Sequence, residues 1–564
     1  MGLVLKRMWH LTVLCIKGPG GKVALLYGVI VLLLNLAEIQ VALKLITWQK
    51  DFYGALEVFD TDGALWQIAV FGILTAISMA IYVTATYIRQ LMQIRWRTTL
   101  TNEALDKWMK NKTYWFLNTS ESSELDNPDQ RIAEDCRIFI EKLTGEALDF
   151  LTGIIGMVTY FILLWNLSDF SLHFTVFGMN IEIKHYIVWI APIYVLLCSG
   201  LTHWLGAPLM KLNVIKKQRE ADLRFALTRF RESKEAIALE EGENAERKVI
   251  DKRYNQMLIN WRKRINREFI LNCFIRPYML AALRVPLFLA FPAYMAKHVT
   301  IGGLMQLSTA FQRVVLSLSW FIFSYKDLAE LAASSNRLAI FLEAAEKTAG
   351  KVPSIKITES QDGALHIKDL NIKDPDGKPL IALPELRVNP GEAVWFEGPS
   401  GMGKSTLLKT IAGLWEHCDG TIELPNGTKL FLPQKSYIPL GNLGASVAYP
   451  SSGADDTETI RELLIKVGLT KDVYLQQLGN PEAQAVEHNF SGGERQRLMI
   501  ARILYAKPDW VFLDEATSAL DASAEEELYT LLRQTLPNTS FVVVAHRKPT
   551  GLGELTRVQL SAGV

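Results

Sequence analysis

At 564 residues the chain is long enough for more than one domain, and its net charge of +1, from 60 basic and 59 acidic residues, offers no electrostatic case for a nucleic-acid partner. A hydrophobic fraction of 49% with a mean hydropathy of +0.13 is too apolar for an ordinary soluble enzyme of this size, so membrane-spanning segments are predicted. The five cysteines are scattered without metal-type spacing, which argues against a zinc or iron–sulfur site and predicts reduced, individually buried thiols.

The first 17 residues carry Lys6 and Arg7 ahead of a short apolar run at 11–16. That run is too short for a signal peptide, and no small-residue cleavage site follows it before Gly18-Pro19. We therefore predict an interfacial helix that lies on the cytoplasmic leaflet of a membrane.

Six apolar stretches approach or exceed the roughly 20 residues that cross a bilayer. They lie at 23–48, 65–88, 148–167, 186–205, 269–295 and 301–325. The intervals 89–142 and 211–267 are long and rich in Lys and Arg, whereas 49–63 and 168–185 are poor in them. The positive-inside rule therefore predicts that the N-terminus and the C-terminal part face the cytoplasm. Because the two basic intervals have helical periodicity and few Gly or Pro, we expect membrane helices that extend far into the cytoplasm before they turn back.

Several charged residues fall inside the predicted spans. A charge near the centre of a span costs about 2.5–3.5 kcal/mol when it faces lipid, so these residues should face a hydrated cavity or one another. Two interpretations remain open, namely a chamber for a polar cargo, or interhelical pairing and snorkelling near the helix ends. The candidate cavity residues are Glu38, Arg276, Arg284 and Arg313.

A polar interval with Gly350, Pro353 and Gly363 predicts a linker at 346–363. It separates a membrane domain at 1–345 from a second domain at 364–564.

Residues 398–405 fit the P-loop pattern G-x-x-x-x-G-K-[ST]. The apolar run 393–396 predicts a buried strand before the motif and 406–414 predicts a helix after it, which is the context that the motif requires. In such a loop, backbone N–H groups cradle phosphates at a helix N-terminus, Lys404 reaches the β- and γ-phosphates, and the Ser405 hydroxyl ligates Mg²⁺. The predicted ATP-binding residues here are Gly398, Pro399, Ser400, Gly401, Met402, Gly403, Lys404, Ser405 and Thr406.

Further motifs follow the P-loop in a consistent order. An apolar strand predicted at 510–513 ends in Asp514-Glu515, the form expected when a strand tip delivers one acid to magnesium and the next to a water. Considered alone, that segment is more readily interpreted as a buried strand followed by a solvated acidic turn. A Ser-Gly-Gly-Glu turn at 491–494, Asp521, and His546 after another apolar strand complete the series. These motifs follow the P-loop in one order, at spacings that a single domain can accommodate. A chance occurrence of the whole series is therefore excluded.

From about residue 365 to the C-terminus the chain resembles the ATP-binding cassette (ABC) family. The resemblance implies that Glu515 is the general base, that His546 contacts the γ-phosphate, and that Ser405, Gln434 and Asp514 surround Mg²⁺. It also implies that two cassettes enclose two ATP molecules between them. The residues that would then complete each ATP site are Ser491, Gly492, Gly493, Glu494 and Asp521.

Two departures from the family pattern stand out. The signature turn has Phe490 and Glu494 where Leu and Gln are usual. The interval 370–380, where the family often has an aromatic residue that stacks on adenine, contains no Tyr, Phe or Trp, so we assign no stacking residue.

The whole chain resembles exporter-type (type IV) ABC half-transporters, which join an all-α six-helix transmembrane domain to an α/β P-loop ATPase domain. Four sequence segments resemble those of bacterial transporters related to the BacA-type peptide-uptake permeases, and more distantly those of the peroxisomal D-type half-transporters. They lie at 94–101, 126–132, 234–243 and 432–439. This resemblance implies a homodimer in the bacterial inner membrane that uses ATP and Mg²⁺ to move a solute.

For the cargo, the resemblance implies uptake of a bulky hydrophilic solute such as a corrinoid (vitamin B12-like) or an antimicrobial peptide. The alternatives are an exporter, a transporter of lipid or acyl-CoA, and, from another class, an ATP-gated regulatory or sensor module.

Overall fold

The computed structural model describes residues 2–119, 127–176, 179–349, 355–399, 401–451, 456–471, 478 and 490–562. The chain divides into two compact units, Met1–Ala349 and Gly350–Val564. The first unit is mainly helical, and the second contains two β-sheets with helices.

The helices of the first unit begin with α1 (Gly2–Lys17), α2 (Gly21–Glu57) and α3 (Thr61–Met109), followed by a 3₁₀ turn (Lys110–Lys112) and α4 (Thr113–Thr119). The short α5 (Pro128–Gln130) continues through a π-helical turn (Arg131–Asp135) into α6 (Cys136–Leu167). They end with α7 (Tyr186–Glu232), α8 (Lys234–Leu239), α9 (Glu243–Met295), α10 (Ile301–Leu318) and α11 (Trp320–Ala349).

Within the described residues, five helices are long and apolar enough to cross a membrane, namely α2, α3, α6, α7 and α9. Helices α3, α7 and α9 have 49, 47 and 53 residues. At 1.5 Å per residue they are roughly 70–80 Å long, more than twice the thickness of the hydrocarbon core. In these three helices the apolar, membrane-spanning part therefore continues directly into the predicted polar extension. Helix α8 forms the turn between α7 and α9.

The predicted sixth span at 301–325 is not one continuous helix. Helix α10 ends at Leu318, and α11 begins at Trp320. Between them, the Ser319 hydroxyl contacts the Val315 carbonyl at 2.7 Å and the Tyr278 hydroxyl of α9 at 2.8 Å. A serine that bonds the carbonyl one turn before it weakens and bends a helix. The same bond occurs inside the unbroken helix α11, where Ser335 bonds the Leu331 carbonyl, so it does not by itself explain the break.

A β-hairpin lies in the connection between α6 and α7, which the sequence identified only as a segment poor in basic residues. Its strands β1 (Ser171–Val176) and β2 (Met179–Lys184) pair antiparallel.

The helices of the first unit pack around two main apolar clusters. One joins α1, α3, α6 and α11 through buried residues such as Leu11, Trp96, Phe139 and Phe341. The other joins α2, α6, α7, α9 and α10. The outer side of α1 exposes Leu3, Leu5 and Trp9, as expected of a helix that lies in a membrane interface.

The cysteines are all free, as their spacing predicted. The prediction that each thiol is buried holds for three of them. Cys198 is half-buried, and Cys273 is exposed on α9 because it lies on the side of that helix opposite its packed residues. In the second unit, burial raises the pKa of the Cys418 thiol to about 11.

The strands of the second unit are β3 (Lys356–Glu359), β4 (Leu365–Lys373), β5 (Pro379–Val388), β6 (Ala393–Glu397), β7 (Cys418–Leu424), β8 (Lys429–Leu432), β9 (Trp510–Asp514), β10 (Ser540–Val544), β11 (Leu555–Gln559) and β12 (Ser561–Ala562). Its helices are α12 (Lys404–Ile411), α13 (Leu443–Ala448), α14 (Thr457–Lys466), α15 (Gly492–Ala506) and α16 (Ala522–Thr535).

One five-stranded sheet has the order β11-β6-β10-β9-β8, and its strand pairs are all parallel. Strands β9 and β10 are buried along their whole length, which explains their unbroken apolar sequences. The second sheet, in the order β12-β5-β4-β7-β3, is largely antiparallel and shares an apolar cluster with α12 and the first sheet. The carboxyl ends of the parallel strands meet at one edge, where open α/β sheets bind their ligands.

Candidate nucleotide-binding and hydrolysis site

The P-loop joins the carboxyl end of β6 to the first turn of α12. Gly401 and Gly403 have φ values of +81° and +98°, a left-handed conformation that glycine adopts without a steric cost. Lys404 is buried, and its Nζ donates to the carbonyl oxygens of Gly398 at 2.7 Å and Pro399 at 3.0 Å. The loop therefore curls around the ammonium group at the N-terminus of α12.

The remaining predicted P-loop residues have different placements. Met402 packs against the apolar cluster of the second sheet, and Thr406 lies in the first turn of α12. Ser400 lies outside the described residues.

Ser405 and Asp514 meet at the base of the P-loop. The Ser405 hydroxyl donates to Asp514 Oδ1 at 2.9 Å, across 109 positions of sequence. Asp514 is the last residue of β9, and its burial raises the pKa of its carboxyl group, opposed by the hydrogen bond from Ser405. A hydroxyl and a carboxylate oxygen in contact are hard oxygen donors of the kind that Mg²⁺ prefers, so the residues fit this ion.

Glu515 is held between two side chains from neighbouring strand ends. Gln434, which follows β8, donates from Nε2 to Glu515 Oε2 at 2.7 Å. His546, which follows β10, places Nε2 at 2.9 Å from Oε1 of the same carboxylate. Glu515 itself has φ of +49°, a conformation that is uncommon for a residue with a side chain and is enriched at functional sites. The three predicted residues thus form one cluster beside the Ser405–Asp514 pair.

The signature turn at 491–494 forms the N-terminus of α15. Ser491 is the N-cap, and a capping box is complete because its hydroxyl accepts from the Glu494 N–H at 3.3 Å while Glu494 Oε2 accepts from the Ser491 N–H at 2.8 Å. Lys471 Nζ lies 2.6 Å from the other carboxylate oxygen of Glu494. A β-carbon on Gly492 would lie 3.2 Å from the β-carbon of Ala519, so this turn packs closely on the segment after Glu515.

Asp521 does not join the cluster around Glu515 in this chain. Its carboxylate accepts from the Ala524 N–H at 2.7 Å and caps the N-terminus of α16. The capping role follows from its position before a helix, and any contact with nucleotide remains a prediction.

Two buried polar residues of α15 make contacts that the sequence did not predict. Gln496 accepts from the Ala519 N–H at 2.8 Å and donates to the Ser518 hydroxyl at 3.3 Å, which ties the signature helix to the turn after Glu515. Arg502 donates to the carbonyl oxygens of Ser446 and Tyr437. Both residues could have been noticed because they are polar and lie on the buried side of an amphipathic helix, where apolar residues are expected.

The polar residues of the predicted spans do not form one cluster. Glu38 accepts from the Ser78 hydroxyl at 2.5 Å, and its second carboxylate oxygen is buried without a hydrogen-bond partner among the described residues. Arg313 is exposed on α10. Arg276 and Arg284 lie on the exposed side of α9, where the described part of the chain offers them no ion pair.

Comparisons with known proteins agree with both units. Residues 11–290 match the family model "ABC transporter transmembrane region 2", and residues 384–518 match the model "ABC transporter". The chain is 32% identical to the Escherichia coli inner membrane ABC transporter ATP-binding protein YddA over 553 residues, which covers 96% of each chain.

More distant relatives occur in eukaryotes. The chain is 27% identical over 570 residues to the mouse lysosomal cobalamin transporter ABCD4, covering 91% of this chain and 89% of the relative. It is 25% identical over 576 residues to the chloroplastic ABC transporter D family member 2 of Arabidopsis thaliana, covering 88% and 78%. With this similarity along its whole length, a helical membrane region and an ATP-binding domain in one polypeptide, the chain belongs to the ABC transporter family and is a half-transporter that couples ATP hydrolysis to transport.

Proposed function

We propose that the chain acts as a homodimer that hydrolyses ATP with Mg²⁺ and drives uptake of a bulky, hydrophilic solute across the bacterial inner membrane. The observation that carries the hydrolytic part is the meeting of Glu515 with Gln434 and His546 beside the Ser405–Asp514 pair. A module that only sensed ATP would have no need for this arrangement.

Each residue of the cluster has a distinct proposed role. Lys404 and the backbone N–H groups of the P-loop bind the phosphates, and Ser405 with Asp514 holds Mg²⁺. The ion, when bound, neutralises charge on the β- and γ-phosphate oxygens. Glu515 accepts a proton from the attacking water, and Gln434 and His546 fix its carboxylate on both oxygens. A base held in this way loses little orientational freedom when it reacts.

The dimer is proposed because one chain supplies one P-loop and one signature turn. In the ABC family each ATP lies between the P-loop of one cassette and the signature turn of the other. Bonds within its own helix and the contact of Glu494 with Lys471 hold the signature turn at the N-terminus of α15, and its proposed role is to bind a partner's nucleotide. Since the P-loop, the signature turn and Glu515 are all present, two equal sites related by twofold symmetry are the simplest assembly.

Two observations support the proposed location in the inner membrane and the proposed orientation of the chain. The E. coli relative is described as an inner membrane protein. The basic residues lie in the intervals 89–142 and 211–267, which favours cytoplasmic placement of the N-terminus and the ATP-binding domain.

The cargo is proposed to be a corrinoid, with an antimicrobial peptide as the other candidate of the same physical class. The mouse relative is described as a cobalamin transporter. Glu38, Arg276, Arg284 and Arg313 are proposed to line a hydrated path, because charges that faced lipid at this depth would be costly.

The test is ATP-dependent accumulation of labelled cobalamin in sealed proteoliposomes whose ATP-binding domains are addressed from one side, with the Glu515→Gln protein as the matched control. Uptake toward the side of the ATP-binding domains that vanishes in the control supports the proposal. If wild-type protein hydrolyses ATP but moves no cobalamin, the cargo assignment fails and the ATPase roles stand. Stimulation of ATPase by acyl-CoA alone would then favour an acyl cargo.

If Glu515→Gln abolishes hydrolysis while transport continues, the proposed ATP-driven transport is contradicted and the ATP-gated module is favoured.

A further inference from the structure

The signature turn has a carboxylate where the family pattern has an amide. Glu494 is the third residue of α15, and the N-terminus of this helix is proposed to face the γ-phosphate that a partner subunit holds. A carboxylate is favourable near a helix N-terminus, but it repels a nearby phosphate. Glutamate at this position therefore needs a countercharge if nucleotide affinity is to be kept.

The countercharge is present in the structure. Glu494 uses one carboxylate oxygen in the capping box with Ser491 and places the other 2.6 Å from Lys471 Nζ. The Glu494 side chain is 17% exposed and that of Lys471 67% exposed, so the pair joins a largely buried acid to a base that reaches in from the surface. Lys471 lies after α14, 23 positions before Glu494, and no motif marks it.

We propose that Lys471 is a positioning residue for nucleotide binding: it neutralises Glu494 and keeps the signature turn suited to a partner's phosphate. This inference rests on the proposed homodimeric ATP site. Lys471 lies at the surface, and an ion pair with a surface base contributes little to stability, so an effect of Lys471 on ATP affinity would not follow from a structural role alone.

Lys471→Gln should raise the KM for ATP about tenfold and change kcat by less than about twofold, because repulsion of the bound phosphate acts equally on the ground state and the transition state. The rise should shrink at high salt, which screens exposed charges. Lys466, exposed at the end of α14, provides the matched control, and Lys466→Gln should leave the KM unchanged.

The decisive variant is Lys471→Gln combined with Glu494→Gln. Glutamine at 494 keeps the capping box, since either Glu or Gln serves at this position, and removes the charge. The double variant should therefore return the KM to within about twofold of wild type. A KM that Lys471→Gln leaves unchanged, or one that Glu494→Gln fails to restore, overturns the inference.

The same variants are then measured without hydrolysis. In the Glu515→Gln background, equilibrium binding of a fluorescent ATP analogue to the full-length protein should weaken with Lys471→Gln and recover with Glu494→Gln. Absence of ATPase in wild type would refute the proposed function, while this binding series still decides the role of Lys471. Equal affinity across the binding series refutes the inference even if wild type is an active ATPase.

Discussion

Arg502→Met should destabilise the second unit, because Arg502 binds carbonyl groups that have few other partners. Its guanidinium is 3% exposed, and two of its nitrogens donate to the Ser446 carbonyl at 3.1 and 2.7 Å. Ser446 is fully buried in the short helix α13, whose last carbonyls have no partner within the helix. A third bond reaches the Tyr437 carbonyl at 3.1 Å, and the guanidinium lies 5.1 Å from the centre of the Tyr449 ring.

The expected cost follows from these contacts. One buried carbonyl left without a donor costs about 1–3 kcal/mol, and loss of the cation–π contact adds about 0.5–2 kcal/mol. Tyr437 is 53% exposed, so water replaces the donor to its carbonyl at little cost. Burial of the charge opposes these terms, as the lowering of the Arg502 pKa to about 10 indicates. After this opposition, a net loss of about 2 kcal/mol corresponds to a fall in Tm of about 4–8 °C for a unit of this size.

The assay is thermal unfolding of the full-length protein in detergent, together with hydrogen exchange of the α13 amides. Faster exchange in α13 should accompany the lower Tm. Arg502→Lys keeps the charge but loses the planar fork, so it should recover only part of the stability. A Tm for Arg502→Met within about 1 °C of wild type, with unchanged exchange in α13, would show that Arg502 does not stabilise this helix.

Three further outcomes are expected. Glu515→Gln should lower kcat for ATP about 100- to 10,000-fold, because the general base is lost, while ATP binding measured with a fluorescent analogue persists. Ser405→Ala should raise the Mg²⁺ concentration for half-maximal ATPase about tenfold or more, whereas Ser405→Thr, which keeps the hydroxyl, should stay near wild type; equal behaviour of the two variants would remove Ser405 from the metal site. Glu38→Gln should alter cobalamin uptake in proteoliposomes without changing ATP binding, and unchanged uptake would exclude Glu38 from the cargo path.

Local chemistry was predictable from the sequence. The P-loop motif is contiguous in the sequence, so its glycines and Lys404 could be recognised without knowledge of the fold. The acid pair Asp514-Glu515 could be recognised because it directly follows an apolar strand. The long helices could be predicted because the thickness of a bilayer sets the length of an apolar segment, and the basic intervals mark what lies outside it.

Contacts between remote positions were decided by tertiary structure. Gln434 and Glu515 are 81 positions apart, and they meet only because β8 lies beside β9 in the parallel sheet. Strand order cannot be read from the apolar content of each strand, since β6, β9 and β10 are almost entirely buried alike. The same holds for the bonds of Arg502 and for the Lys471–Glu494 pair, whose partners have no pattern in common.

The division therefore follows the range of the interactions. Residue type and hydropathy act within one element, so the sequence alone predicted the long apolar helices, the P-loop motif and the presence of an ATP-hydrolysing domain. Contacts between elements depend on how those elements pack together. Only the folded chain brings Ser319 to Tyr278, Gln434 to Glu515 and Lys471 to Glu494 within hydrogen-bonding distance.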